Sequence, residues 1–212
     1  NLGAIAIICE DFPATIVNGV TYIKVKDTNE ALAFLSANYF NNPSHNIKLV
    51  GVTGTNGKTT IASLLYQLFN KAGYKVGLLS TVKIRVDKQE FKATHTTPDS
   101  LTLNYYLDLM RDAGCEFCFM EVSSHGIHQS RVVGLNLGVC VFLNLTRDHL
   151  DYHQNMEAYF NEKRNQQVSL RTYDRALYKD PGNFTSFCIA VILLYRNLGL
   201  QFSKLLFRKQ WV

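Results

Sequence analysis

No apolar run in this 212-residue sequence has the length of a membrane span. The apolar stretch Phe187–Tyr195 falls far short of the roughly 20 residues a spanning helix needs, and Arg196 ends it. A disulfide framework is lacking too. Five cysteines is an odd count without framework spacing, which suits a reducing compartment. Cys115 and Cys118 form a single C-x-x-C with no second pair to complete a zinc site. They lie in the strand-like run Cys115–Val122 and read as buried thiols. An even spread of positive charge is also absent, despite a net charge of +5. Residues 1–162 carry 13 Lys+Arg against 15 Asp+Glu, whereas residues 163–212 carry 9 against 2. The basic excess belongs to the tail, so no nucleic-acid partner is expected of the main body. What is plentiful is apolar material: 47% hydrophobic residues supply a core for one large domain, or for one domain and a piece of another.

The generic phosphate-loop pattern G-x-x-x-x-G-K-[ST] is missing, because Val52 stands where its first glycine belongs. A shorter pattern replaces it: Gly54-Thr55-Asn56-Gly57-Lys58-Thr59-Thr60. Lys48–Val52 reads as a buried strand before it, and Ile61, Leu64, Leu65, Leu68 and Phe69 recur at helical spacing after it. Gly54 and Gly57 permit a tight backbone path that turns N–H groups toward an anion. The following helix adds its positive end. Lys58 is placed to reach the β- and γ-phosphates of a nucleotide, and the Thr59 hydroxyl to ligate Mg²⁺. An ordinary strand–turn–helix is the bland alternative, and it leaves Gly-Lys-Thr-Thr at the helix start unexplained.

Strands are expected over 3–9, 21–25, 48–53, 75–80, 116–122 and 138–143, with a hairpin of 82–86 and 90–94 around Asp87-Lys88. Helices are expected from the Asp27–Glu30 capping box to about Phe40, over 58–72, over 99–113, near 126–133, and from about Met156. Asn41–Asn46, with Pro43, reads as a linker. The alternation predicts an α/β fold, a mainly parallel sheet with helices on both faces, preceded by part of a small α/β unit. Ligands should then gather at the carboxyl ends of the strands.

Several polar clusters fall at those ends. Glu121 closes an apolar strand, where a carboxylate suits Mg²⁺ or a water bound to it; a capping or salt-bridged glutamate is the alternative. Asn144–His153 packs two histidines and two aspartates, which suggests a metal or phosphate site, or a polar loop whose Asp148 or Asp151 caps a helix. Thr94–Pro98, with Thr96 and Thr97, and Ser123–Arg131, with Gln129, offer hydroxyls, an amide and a guanidinium to an acidic, oxygen-rich substrate.

Together, Thr53–Thr60, Thr96-Thr97-Pro98, Met120–Gly126 with Gln129 and Arg131, and Asn144–His153 resemble the Mur ligases in order and spacing. The Glu-Val-Ser-Ser-His and Arg-Asp-His-Leu-Asp-Tyr-His runs resemble the branch that adds the third peptide residue, usually diaminopimelate or lysine. The resemblance covers roughly residues 3–164. It implies a cytoplasmic, monomeric ATP-dependent amide ligase of peptidoglycan precursor synthesis. Such an enzyme phosphorylates the carboxylate of UDP-MurNAc-L-Ala-D-Glu and lets an amine displace phosphate from the acyl phosphate. By the same resemblance Gly54–Thr60 hold ATP, with Lys58 catalytic and Thr59 on the first Mg²⁺. Glu121 bridges two metals and His149 holds the second. Lys163 falls at a position carbamylated in the family, where a carbamate would make it a metal ligand and a catalytic group. Thr96, Thr97, Ser123, Gln129 and Arg131 match positions that contact the muramoyl-dipeptide.

The resemblance divides the chain into 1–45, the end of a first domain; 46–164, a partial ATP-binding central domain; and 165–212, a basic, aromatic tail. That tail reads as a frame-shifted end or as a divergent segment with a helix around 184–207. The family's third, amino-acid-binding domain finds no counterpart, so the expectation is a chain that makes no tripeptide product. A nucleotide-binding remnant without turnover is the competing reading. A folylpolyglutamate-synthetase-like ligase is more distant, since the Ser-Ser-His-Gly and Arg-Asp-His runs argue against it.

Overall fold

The computed structural model describes residues 3–144. The expected helices from Met156 and around 184–207, together with His149 and Lys163, lie outside the described residues.

The described residues open with two short parallel strands, β1 (Ala6–Cys9) and β2 (Thr21–Lys24), which among those residues pair with each other alone. Helix α1 (Thr28–Tyr39) starts where expected, because the Asp27 carboxylate accepts the Asn29 and Glu30 N–H groups at 2.8 and 3.1 Å. The segment expected as a linker is a docked joint. Asn41 and Asn42 take φ of 56° and 52°, and a 3-10 turn over Pro43–His45 buries Pro43 and Ser44. Ser44 Oγ accepts the Asn136 N–H at 3.0 Å, and Arg111 Nη1 donates to the Phe40 carbonyl at 3.1 Å.

A six-stranded sheet follows. Its strands are β3 (Lys48–Thr53), β4 (Val76–Leu79), β5 (Lys83–Val86), β6 (Gln89–Lys92), β7 (Phe117–Glu121) and β8 (Leu137–Phe142). The order is β6-β5-β4-β7-β3-β8, with β4, β7, β3 and β8 parallel and β5–β6 an antiparallel hairpin at one edge. Asp87 turns that hairpin with φ of 50°, a conformation Asp tolerates. The sheet is mainly parallel with helices on both faces.

Period-two alternation sends the two sides of each inner strand to different helices. Val50, Val52, Val76, Leu78, Phe117 and Phe119 pack under Ala62, Leu65, Tyr66 and Phe69 of α2 (Lys58–Lys71). Leu49, Leu79, Cys118, Met120 and Val122 pack under Leu103, Leu107 and Met110 of α3 (Ser100–Asp112). On the second face Gly77 is required by close approach, since a Cβ there would lie 2.2 Å from Met110 Sδ. Asp99 caps α3 by accepting the Thr102 N–H at 3.0 Å. Helix α1 packs on α3, with Ala33, Ser36 and Ala37 buried.

The short helix near 126–133 sits earlier than expected: α4 spans Ser124–His128. The Ser123 hydroxyl caps it by accepting the Gly126 N–H at 3.0 Å, which starts the helix directly at the end of β7. Cys115, Cys118 and Cys140 are buried free thiols, as the strand reading of the C-x-x-C requires.

Candidate active site

The carboxyl ends of β3, β4, β7 and β8 meet in one polar region. The loop after β3 is shaped by its two glycines. Gly54 has φ of 154°, and a Cβ there would lie 2.9 Å from Leu143 Cβ and 3.2 Å from the Asn144 nitrogen. Gly57, with φ of 86°, is the N-cap residue of α2 and, as glycine, offers that helix no side-chain cap. The 14-residue helix α2 presents its positive end to the loop.

Lys58 Nζ donates to the Gly54 and Thr55 carbonyls, each at 2.8 Å, so its ammonium lies over the loop rather than in bulk solvent. Thr55 is buried, whereas Asn56 and Thr60 are exposed. Asn144, just past β8, clasps the loop three times. Its carbonyl accepts the Thr55 N–H at 3.1 Å, its Oδ1 accepts the Asn56 N–H at 2.9 Å, and its Nδ2 donates to the Asn56 carbonyl at 3.1 Å. Sequence reasoning grouped Asn144 with the polar run that follows it. A contact 88 residues apart in the chain has no local signal.

Glu121 is 1% exposed, and among the described residues no basic side chain forms an ion pair with it. Its carboxylate is held instead by neutral donors. Thr59 Oγ1 donates to Oε2 at 2.9 Å, and the Thr81 N–H donates to Oε1 at 2.8 Å. Thr81 Oγ1 also lies 3.2 Å from Oε2. A buried carboxylate without a counter-charge is costly unless something cationic completes it, which is the donor chemistry of a Mg²⁺ site. Among the described residues the salt-bridged alternative for Glu121 finds no partner. Among the described residues no cluster of three or more His, Cys, Asp or Glu forms a complete metal cage.

The second half of the region lies between β6, β7 and α4. Thr97 is buried, and its hydroxyl donates to the Glu121 carbonyl at 3.0 Å while accepting the Ser123 N–H at 2.9 Å. The Ser123 hydroxyl is 3.2 Å from it. Arg131 Nη1 donates to the Thr97 carbonyl at 2.6 Å, and Arg131 Nε donates to Gln129 Oε1 at 3.0 Å. Gly126 admits this packing, since a Cβ there would lie 2.9 Å from Thr97 Cβ. Thr96 joins the two halves through Thr81, with their hydroxyl oxygens 3.1 Å apart. The structure thus brings together Gly54–Thr60, Glu121, Thr96, Thr97, Ser123, Gln129 and Arg131. Thr81, a residue without any motif, is the further member that sequence reasoning missed.

The family model for the Mur ligase middle domain matches residues 52–181. The UDP-N-acetylmuramoyl-L-alanyl-D-glutamate--2,6-diaminopimelate ligase of Bacteroides thetaiotaomicron is 54% identical over 162 residues, covering 76% of this chain and 34% of that protein. Its namesake from Geobacillus kaustophilus is 47% identical, covering 76% of this chain and 32% of its own length. The chain thus spans about a third of the length of the curated relatives it matches. A solved structure of a UDP-N-acetylmuramoyl-L-alanyl-D-glutamate--2,6-diaminopimelate ligase superposes with a TM-score of 0.65 at 31% identity, covering 76% of this chain and 32% of that one. E. coli FolC in complex with ADP shares the fold, with a TM-score of 0.57 at 20% identity over 80% of this chain and 46% of FolC.

Proposed function

The chain belongs to the Mur ligase family, and from that premise we propose that it carries the nucleotide-handling part of an ATP-dependent ligase joining diaminopimelate to UDP-MurNAc-L-Ala-D-Glu. Diaminopimelate is preferred over lysine because the relatives at 47–54% identity carry it in their names. The observation that carries the reading is the contact between Thr59, in the first turn of α2, and the buried carboxylate of Glu121, which has no ion-pair partner among the described residues. It sets a place for phosphate oxygens beside a place for a divalent cation.

In this reading Gly54–Thr60 wrap the phosphates, with Lys58 moving from the loop carbonyls onto the β- and γ-phosphate oxygens. Thr59 and Glu121 would hold Mg²⁺, with His149 and, once carbamylated, Lys163 completing the metal set. The bound Mg-nucleotide supplies the phosphoryl group that activates a carboxylate for attack by an amine. The chain's own residues position and neutralise. Asn144 holds the loop's shape, Lys58 offsets phosphate charge, and Arg131 with Gln129, Ser123 and Thr96 orient the acidic acceptor. Thr97, whose hydroxyl is engaged on both sides, contributes by fixing Ser123 and Arg131. FolC shares the fold alone, and its likeness adds no second reading.

Equilibrium titration with ATP, with and without Mg²⁺, tests the nucleotide half. The wild-type chain is expected to bind more tightly with Mg²⁺, Lys58→Ala to bind at least about tenfold more weakly, and Glu121→Gln to lose the Mg²⁺ enhancement. Saturation-transfer NMR with UDP-MurNAc-L-Ala-D-Glu tests the acceptor half, with the signal lost in Arg131→Ala. Absence of wild-type binding at millimolar ATP rejects the proposal.

A further inference from the structure

We propose that Thr81 is a positioning residue that fixes the Glu121 carboxylate. The inference rests on the nucleotide-site reading above and adds a residue to it.

Thr81 follows Ser80 at the end of β4, and its main chain and side chain act on the same carboxylate. The N–H donates to Glu121 Oε1 at 2.8 Å and the hydroxyl lies 3.2 Å from Oε2, so both oxygens are held by one residue. Thr59 Oγ1 takes a second position on Oε2 at 2.9 Å. Two-point attachment removes rotation about the terminal torsion of Glu121, a torsion that is otherwise broad. The carboxylate plane is therefore set before any cation arrives.

The hydroxyl of Thr81 also reaches the acceptor side. It lies 3.2 Å from Glu121 Oε2 and donates to Thr96 Oγ1 at 3.1 Å, so its one proton is shared between the carboxylate and the Thr96 oxygen.

Thr81 is exposed and lies outside the two core clusters, so its variants separate function from folding. The experiment measures ATP affinity in Mg²⁺ and in EDTA, alongside Tm, for wild type, Thr81→Val and Thr81→Ser. Thr81→Val keeps the shape and the N–H but removes the hydroxyl. The expected result is a Mg²⁺-dependent affinity about tenfold weaker, the scale of one hydrogen bond to a charged group, with EDTA affinity and Tm unchanged and Thr81→Ser restoring the Mg²⁺ effect. A Thr81→Val chain with wild-type Mg²⁺ enhancement overturns the positioning role while leaving the nucleotide reading intact. A wild-type chain that binds no nucleotide overturns both. Equal losses in Mg²⁺ and EDTA, or failure of Thr81→Ser to rescue, reduces Thr81 to a general structural contact and also overturns the proposal.

Discussion

Replacing Asn144 with alanine removes the side-chain clasp on Asn56 of the loop while leaving the sequence of Gly54–Thr60 unchanged. Two side-chain hydrogen bonds are lost: Asn56 N–H to Oδ1 at 2.9 Å and Nδ2 to the Asn56 carbonyl at 3.1 Å. The main-chain bond from Thr55 N–H to the Asn144 carbonyl, at 3.1 Å, stays. A neutral hydrogen bond contributes about 0.5–1.5 kcal/mol net. Asn56 is exposed, so water replaces part of what is lost, and the total is set at about 1–2 kcal/mol from the lower half of that range. If that energy orders the loop for binding, the ATP dissociation constant rises about 5- to 30-fold, since 1.4 kcal/mol is a factor of ten. Isothermal titration in Mg²⁺ measures it, with Tm as the control for folding. An Asn144→Ala chain that binds ATP within a factor of about two of wild type, with unchanged Tm, refutes the idea that this clasp sets the loop.

Three further outcomes follow from the packing and electrostatics. Gly77→Ala places a Cβ 2.2 Å from Sδ and 3.0 Å from Cγ of fully buried Met110. Overpacking of this kind costs about 1–3 kcal/mol, and adding Met110→Ala should give a double variant more stable than the two separate losses predict, read by urea denaturation. Asp99→Ala removes the α3 cap and should cost about 1 kcal/mol. Partial burial pushes the Asp99 carboxyl up, but the hydrogen bonds from Thr102 together with the Asp99 and Leu101 main-chain N–H groups outweigh it and hold the group below its ordinary 3.8. That stabilisation is present above 3.8 and fades as pH falls through the lower folded value, so the Tm gap between wild type and variant should close on acidification. Burial raises the Cys115 and Cys118 thiols and pushes Cys140 up to about 12. Iodoacetamide followed by peptide mass spectrometry should therefore label partly exposed Cys9 before those three, and equal rates would contradict the burial assignment.

Local chemistry was enough for the elements. Apolar periodicity set β3 and α2, Asp27 and Asp99 set two helix starts, and Asp87 set the hairpin. Each depends on residues within one or two turns, and so does the glycine-lysine-threonine loop with its anion-directed geometry. The α4 start was misplaced by two residues because its cap, Ser123, lies in a run of Ser, His and Gly without periodicity. The polar clusters were also legible as types: hydroxyls, a guanidinium and a carboxylate at strand ends.

Which of those ends meet was a different matter. The sequence by itself determined a strand–loop–helix with two glycines and Lys-Thr at the helix start, and an α/β alternation around it, because both are written in neighbouring residues. Only the tertiary structure decided that β7 slots between β4 and β3, which sets Glu121 against Thr59 and Thr81 from 62 and 40 residues away. It alone brought Asn144 onto the loop, and it docked the segment 41–46 through buried Pro43 and Ser44. Strand order and side-chain meeting depend on how whole helices cover the two faces of the sheet. No short window of sequence contains that packing, so Thr81 and the clasp of Asn144 emerge only when the sheet is assembled.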